Sequence, residues 1–280
     1  MAEPTVSPRL LSFPASLGGV VTRVLELGDG AQRVLLLHGA GSRADRWTAA
    51  MPHLCDGRTV QAIDFPGHGF ADKPTDFSYT SPAFTEAVIG YLNSWGPAAL
   101  VGTSLGAHVA TLVAERRPDL VTSLVLVGAT GIVPRNTASS SAIADRSPAG
   151  VRAKMTQLFF DPTLVDDASV REEHLVNTSP GAEQALEQVL RYLQNGITAD
   201  LVEGRLSSID TPVLLMWGSD DRWIPLEVGE RIAAIVPQSP FVILDRCRHA
   251  PYAERPAEFG DVVSRFITDP ASIRPGRQLI

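Results

Sequence analysis

The sequence predicts an α/β protein with a doubly wound, mostly parallel β-sheet into which a helical cap is inserted. Six short apolar runs do not alternate with polar residues, which is typical of strands covered on both faces. Segments of helix length separate most of these runs, as in a sheet with helices on either side. The apolar runs are residues 34–37, 59–63, 98–101, 124–127, 213–217 and 241–244, and helices are predicted over residues 81–95, 104–117, 226–235 and 256–267.

Both ends of the chain depart from this alternation. Near the start, residues 10–13 and 20–27 are predicted to pair as an antiparallel edge of the sheet, with Asp29-Gly30 as its exit turn. At the other end, residues 269–280 contain two prolines and are predicted to form a loosely attached tail.

The interval from residue 130 to residue 208 has no strand pattern. It opens with small polar residues at 136–141 and continues with helix-like pieces at 155–160, 169–176 and 184–193. Its apolar content is too high for a disordered linker. We therefore expect a core made of residues 1–129 and 209–280, with a helical cap at 130–208 between two of its strands.

Composition excludes several classes of function. The chain has 280 residues and a net charge of -7, so no basic surface invites nucleic acid or an anionic membrane. Residues 1–14 lack the pattern of a secretory signal, and no apolar stretch approaches the ~18 residues that span a bilayer. Cys55 and Cys247 have neither metal-type nor disulfide-type spacing. We expect a cytoplasmic protein that acts on a small molecule without a metal or other cofactor, and a homodimer is compatible with this.

Ser104 is the predicted nucleophile. It is the central residue of Gly102-Thr103-Ser104-Leu105-Gly106, which follows one predicted strand directly and precedes a helix. A G-x-S-x-G pattern in this context forms a sharp turn that exposes the serine hydroxyl, and the flanking glycines avoid a clash there. The helix N-terminus favours negative charge that develops at the serine.

A serine hydroxyl needs a base, and His249 is the predicted one among the six histidines. It follows the last apolar run and comes after the acid in the chain, as this kind of site requires. The acid is predicted in the pair Asp220–Asp221, which follows the strand ending near Gly218. Asp221 is favoured because it lies three residues after Gly218 and four before Pro225. It would hold the histidine in the correct tautomer.

Backbone amides of small-residue loops are the predicted donors to a developing oxyanion. The strand at residues 34–37 runs into His38-Gly39-Ala40-Gly41, where the backbone can approach a ligand closely. The amide of Ala40 and the amide of Leu105, directly after the nucleophile, are predicted to stabilise a tetrahedral oxyanion.

These motifs resemble the α/β-hydrolase family over residues 20–267. Serine at position 104 argues against the family's haloalkane dehalogenases and epoxide hydrolases, which carry aspartate there. Within the family the chain is similar to the group of meta-cleavage-product hydrolases, which cut carbon–carbon bonds in vinylogous diketones. Several positions depart from that group: the loop at residues 38–41 has fewer glycines and no proline, and Leu105 and Ala107 replace a methionine and a glycine. Ala250 replaces a tryptophan, and Glu173 a cap arginine that contacts substrate. The matching positions are His38-Gly39-Ala40, Trp47, residues 64–69, 102–106, 158–164 and 217–225, and His249.

Because of these departures, we expect a serine hydrolase that cleaves a carboxylic ester or lactone through an acyl-enzyme. The alternative is a carbon–carbon bond hydrolase that acts on a vinylogous diketone, and a more remote one is a non-catalytic receptor for a small molecule. Trp47, Phe159, Phe160 and Trp223 either contact the substrate in an apolar pocket or pack in the core.

Overall fold

One mixed β-sheet organises the chain in a computed structural model that describes residues 9–133 and 143–280. Within these residues the strand order is β1-β2-β4-β3-β5-β6-β7-β8-β9. Strands β3 to β9 are parallel to one another, whereas β1 and β2 form an antiparallel hairpin at one edge, where β2 also pairs with β4 in antiparallel orientation. The strands are β1 Leu11–Leu17, β2 Val20–Leu27, β3 Gln32–Leu37, β4 Arg58–Ile63, β5 Ala98–Thr103, β6 Val121–Val127, β7 Val213–Gly218, β8 Pro240–Leu244 and β9 Gly276–Leu279.

Both faces of the parallel strands are covered, as their continuous apolar runs predict. On β3, Leu35 and Leu37 belong to one buried cluster and Val34 and Leu36 to another. Helices α1 (Ser81–Trp95), α2 (Leu105–Arg116) and α6 (Leu226–Ile235) contribute to the first cluster, and α7 (Pro251–Glu254) and α8 (Pro256–Thr268) contribute to the second. The predicted doubly wound, mostly parallel sheet is confirmed.

Helix α1 begins where local chemistry favours a helix start. The Thr80 side chain accepts a hydrogen bond from the amide of Ala83, and Pro82 lies in the first turn, where its missing N–H costs nothing. Buried Phe84, Val88 and Leu92 follow at helical spacing and face the sheet. In the described part of the chain, no helix is long and apolar enough to cross a membrane.

The described residues between β6 and β7 include helices α3 (Pro148–Leu158), α4 (Asp167–Asn177) and α5 (Ala182–Asn195). Their apolar residues join the two core clusters, with Val189 of α5 in the first and Met155 of α3 in the second. The small polar opening predicted at 136–141 lies outside the described residues. The division of the chain at residues 129 and 209 stays a prediction.

The C-terminal segment differs from the expected loose tail. Residues Gly276–Leu279 form β9, which pairs in parallel with β8. The Ile280 amide donates to the Ile243 carbonyl at 2.9 Å, and the Asp245 amide donates to the Ile280 carbonyl at 2.8 Å. The prolines lie before the strand, so they remove no hydrogen bond from it. Strand pairing at the free edge of β8 is a long-range effect that the local composition does not reveal.

Deletion of residues 276–280 is expected to lower the free energy of unfolding by about 1–3 kcal/mol, because it removes several hydrogen bonds and reopens the edge of β8. Urea denaturation of the shortened and full chains measures this. Leu279→Ser is the control, since this side chain is 64% exposed and the strand remains. An unchanged midpoint in the deletion variant would mean that β9 contributes nothing to stability.

Three histidines are buried, and each hydrogen-bonds to groups of neighbouring loops or helices. Burial lowers the pKa of His38 to about 4, of His68 to about 3 and of His108 to about 4. The His38 Nε2 atom accepts from the Phe65 amide at 2.9 Å, and its Nδ1 lies 2.8 Å from the Gly39 carbonyl. The His108 nitrogens lie 2.9 Å from Ser81 Oγ and 3.0 Å from the Asp200 carbonyl. At neutral pH these rings are therefore uncharged, and they are held by hydrogen bonds.

Acid is therefore expected to destabilise the fold in a defined window. Below pH ~6.5 the unfolded chain protonates these histidines while the folded chain does not until about pH 4, so stability falls as the pH falls through that range. At pH 5 each contributes a loss of about 2 kcal/mol relative to pH 7. The difference between the unfolding free energies at pH 7 and at pH 5 should be smaller for His108→Gln than for the wild type. His53→Gln, at an exposed position, should retain the wild-type difference; equal differences in all three proteins would contradict the assignment.

Candidate active site

Ser104 lies in a strained turn between β5 and α2. Its φ is 52° and its ψ is -116°, a combination that non-glycine residues rarely adopt. A Cβ at Gly102 would lie 2.3 Å from the Gly106 carbonyl oxygen, and one at Gly106 would lie 2.2 Å from the Leu37 carbonyl oxygen. The turn therefore requires both glycines, and the crowded backbone holds Ser104 at the carboxyl end of the sheet.

His249 and Asp221 form a buried hydrogen-bonded pair. The Nδ1 atom of His249 lies 2.7 Å from Oδ2 of Asp221. The other carboxylate oxygen, Oδ1, accepts from the amides of Trp223 and Ile224 at 2.8 and 2.9 Å. Since these two amides fix the carboxylate, it can orient the imidazole.

The neighbouring Asp220 has different partners. Its Oδ2 accepts from the Ser219 hydroxyl at 2.6 Å, and its amide donates to the Cys247 carbonyl at 2.9 Å. The structure therefore brings Asp221, and not Asp220, to His249. The spacing argument had favoured the same residue.

Ser104, His249 and Ala40 line one cavity, which encloses about 760 Å³ of empty space including its opening to solvent. Leu105 begins α2 directly after Ser104. The roles of the Ala40 and Leu105 amides as oxyanion donors stay a prediction. The cavity wall also includes apolar side chains from the cap and the core, namely Ile143, Leu158, Leu193, Trp223, Ile224 and Tyr252.

A charged cluster forms another part of the same wall. The carboxylate of Glu173, only 2% exposed, pairs with the Nζ of Lys154 and with the guanidinium of Arg46. The Arg43 guanidinium is 3.7 Å from it. Burial alone raises the pKa of Glu173, but the adjacent Lys154 and Arg46 charges lower it to about 2. Burial lowers the pKa of Lys154, and the Glu173 carboxylate opposes that shift.

The aromatic side chains singled out from the sequence lie in different places. Trp223 lines the cavity and stacks on His249, with ring centroids 5.9 Å apart. Trp47 is fully buried in the core, where its ring lies 4.0 Å from that of Tyr252. Phe159 faces a separate depression, and Phe160 packs near the guanidinium groups of two arginines. Only Trp223 of the four is among the described residues that line the cavity.

Sequence reasoning missed the charged wall. Lys154, Arg46 and Glu173 come from three separate segments, and no local pattern pairs them. No local signal marks Lys154, because its segment also carries the polar residues Arg152, Thr156 and Gln157.

Known proteins resemble this chain over most of its length. Residues 34–262 match the Alpha/beta hydrolase family. A relative from Paraburkholderia phymatum, named 2-hydroxy-6-oxononadienedioate/2-hydroxy-6-oxononatrienedioate hydrolase, is 30% identical over 273 residues, which cover 89% of this chain and 92% of that protein. A relative from Metapseudomonas resinovorans, named 2-hydroxy-6-oxo-6-(2'-aminophenyl)hexa-2,4-dienoic acid hydrolase, is 28% identical and covers 91% of this chain and 90% of its own.

A solved structure of a membrane phospholipase A also superimposes well, with a TM-score of 0.82 and 25% identity over 92% of this chain and 86% of that one. The family match includes Ser104, Asp221 and His249. The first two relatives are named as hydrolases of oxo-dienoate acids, so the comparisons favour the carbon–carbon alternative over the expected ester specificity. The chain belongs to the alpha/beta hydrolase family and is a hydrolase of that type.

Proposed function

We propose that this hydrolase uses Ser104 as a nucleophile, His249 as a general base and Asp221 as the acid that orients the histidine. One observation carries the proposal: the 2.7 Å contact between His249 and Asp221 lies at the cavity whose wall includes Ser104. The strained turn at Ser104 directs the hydroxyl towards substrate. The amides of Ala40 and Leu105 then stabilise the oxyanion.

We further propose that the substrate is an anionic vinylogous diketone, which is cleaved at a carbon–carbon bond next to a ketone. The names of the relatives support this class. The charge of the cavity supports it independently, because two cations in the wall, Arg46 and Lys154, exceed the single carboxylate of Glu173. Glu173 occupies the position at which the resemblance implies an arginine. Its neighbours Arg46 and Lys154 supply positive charge to the same region of the cavity wall.

The proposed reaction balances without a cofactor. The Ser104 oxygen forms a bond to the ketone carbon as His249 takes its proton, and the Ala40 and Leu105 amides bind the oxyanion. When the oxyanion collapses, the carbon–carbon bond breaks, and its electron pair delocalises into the second carbonyl through the conjugated chain. That carbon fragment gains a proton from His249. Water activated by His249 then releases the acyl group as a carboxylic acid and restores Ser104.

Ester or lactone hydrolysis is the second candidate. It uses the same attack on a carbonyl carbon, with an alkoxide as the leaving group. The apolar wall formed by Ile143, Leu158 and Leu193 suits an acyl chain. The likeness to a phospholipase A supports it as well.

The compartment and the assembly of the protein stay predictions. We propose a cytoplasmic enzyme, as expected from the sequence, and a homodimer remains compatible with it.

The triad is tested by three substitutions. Ser104→Ala removes the nucleophile and is expected to lower kcat by at least about a thousandfold. Asp221→Asn is expected to lower it by about 10⁴-fold, because an amide favours the wrong histidine tautomer. Asp220→Asn, the adjacent control with the same charge change, should stay within about twofold. Steady-state hydrolysis of an aryl ester measures all three, and full turnover in Ser104→Ala would exclude the serine mechanism.

The substrate class is tested without changing the protein. A vinylogous diketone with a terminal carboxylate should have a kcat/KM at least about tenfold above that of its carboxamide, which corresponds to about 1.4 kcal/mol of electrostatic preference. The decrease in the diketone absorbance measures the rate with the carboxylate substrate and with the carboxamide. An aryl ester of similar size is the comparison for the second candidate. If the ester is preferred by orders of magnitude, ester hydrolysis replaces the carbon–carbon reaction.

A further inference from the structure

Lys154 connects the cap to the loop that follows β3. Its side chain extends from α3 and is only 5% exposed. The Nζ atom donates a hydrogen bond to the Gly41 carbonyl oxygen at 3.1 Å. Gly41 directly follows Ala40, whose amide is a proposed oxyanion donor. A charged group of the cap therefore contacts the proposed catalytic loop of the core.

The ammonium group is held in place by Glu173. This carboxylate belongs to α4, and two arginines connect it to the core: Arg43, directly before the 3-10 helix Ala44–Trp47, and Arg46 within that helix. The Arg43 guanidinium also contacts Asp45 at 3.0 Å, so it is anchored within the core. A buried carboxylate with several cationic partners keeps a narrow range of positions, because any departure leaves a charge unpaired. Lys154 is thus fixed between two cap helices and the core.

The loop receives support from both sides. On the core side, the Gly39 carbonyl lies 2.8 Å from Nδ1 of His38 and accepts from the Ser42 amide at 3.3 Å. On the cap side, Lys154 binds Gly41, and a Cβ at Gly41 would lie 2.6 Å from Ile143.

We propose that Lys154 is a positioning residue that holds the Ala40 amide in the geometry needed for oxyanion binding. The inference rests on the serine mechanism proposed above and adds a part of the cap to it. Oxyanion donors act only within a narrow distance of the developing charge. A displacement of about 1 Å can lower the rate by about 100-fold. Loss of the Lys154 contact is therefore a defect in catalysis for every substrate, including neutral ones.

A direct contact between Lys154 and an anionic substrate makes a different prediction. In that case, removal of the charge raises KM for the carboxylate substrate and leaves reactions with neutral reagents unchanged. A neutral fluorophosphonate separates the two roles, because it reacts with an activated serine through the same oxyanion site and carries no carboxylate.

The test compares Lys154→Met with Arg152→Met. The first removes the ammonium group and keeps an apolar side chain, and Glu173 retains its arginine partners. The second removes a cation from the same helix, where Arg152 is exposed and pairs with the exposed Asp167. Labelling of Ser104 by the fluorophosphonate is expected to slow by about 10- to 100-fold in Lys154→Met. In Arg152→Met it should stay within about twofold.

Amide hydrogen exchange of the segment 37–43, followed by mass spectrometry, measures how well the loop is held in its hydrogen-bonded state, independently of activity. Exchange should be faster in Lys154→Met and unchanged in Arg152→Met. Lys154→Gln, which keeps an N–H donor without the charge, should be intermediate in both measurements, and it replaces Lys154→Met if thermal unfolding shows that Lys154→Met is not folded. Wild-type labelling or wild-type exchange in a folded Lys154→Met protein overturns the proposal.

The two proposals fail in different ways. If the wild-type enzyme does not react with the fluorophosphonate at Ser104, the serine mechanism is wrong and the positioning role falls with it. If the wild type reacts and Lys154→Met reacts equally fast, the mechanism stands and the positioning role is wrong. A rise in KM confined to the carboxylate substrate would then assign Lys154 to substrate binding.

Discussion

The carboxyl ends of parallel strands meet at one edge of a sheet, and the candidate site depends on this constraint. Ser104 follows β5, the loop with Ala40 follows β3, Asp221 follows β7 and His249 follows β8. These strands are far apart in the chain, yet the order β3-β5-β6-β7-β8 makes them near neighbours in space. Because both faces of the sheet are covered by apolar side chains, the strand ends are rigid supports. The loops therefore need only short connections to bring polar groups together.

Sequence reasoning works well where the signal is local. The strand runs, helix α1 and the turn at Ser104 each depend on residues that are close in the chain, and the structure has them within a few residues of the predicted bounds. The approach of Asp221 to His249 follows from topology once the strands are parallel. The same reasoning missed β9, because a short strand at a sheet edge is stabilised by its partner and not by its own composition.

It also missed the buried ion cluster, for a related physical reason. Charged residues usually lie at the surface, and the sequence gives no sign that Lys154 and Glu173 are exceptions. Their burial becomes favourable only when Arg43 and Arg46 are brought alongside by the fold. Trp47 is the opposite case, a residue predicted near the site that belongs to the core. An aromatic residue near a predicted site has the same sequence signature whether it contacts substrate or packs, and here it packs on Tyr252.

The ion cluster also restricts how the specificity of this enzyme can change. A single substitution at Glu173 would deprive Lys154 and Arg46 of their buried carboxylate partner, and such variants lose stability before any new preference can be selected. Ile143, Leu158 and Leu193 carry no such constraint, since an apolar wall accepts changes of size and shape at lower cost. Evolution or directed mutagenesis would therefore alter the length and width of the accepted substrate readily, whereas a change in its charge requires several coordinated substitutions.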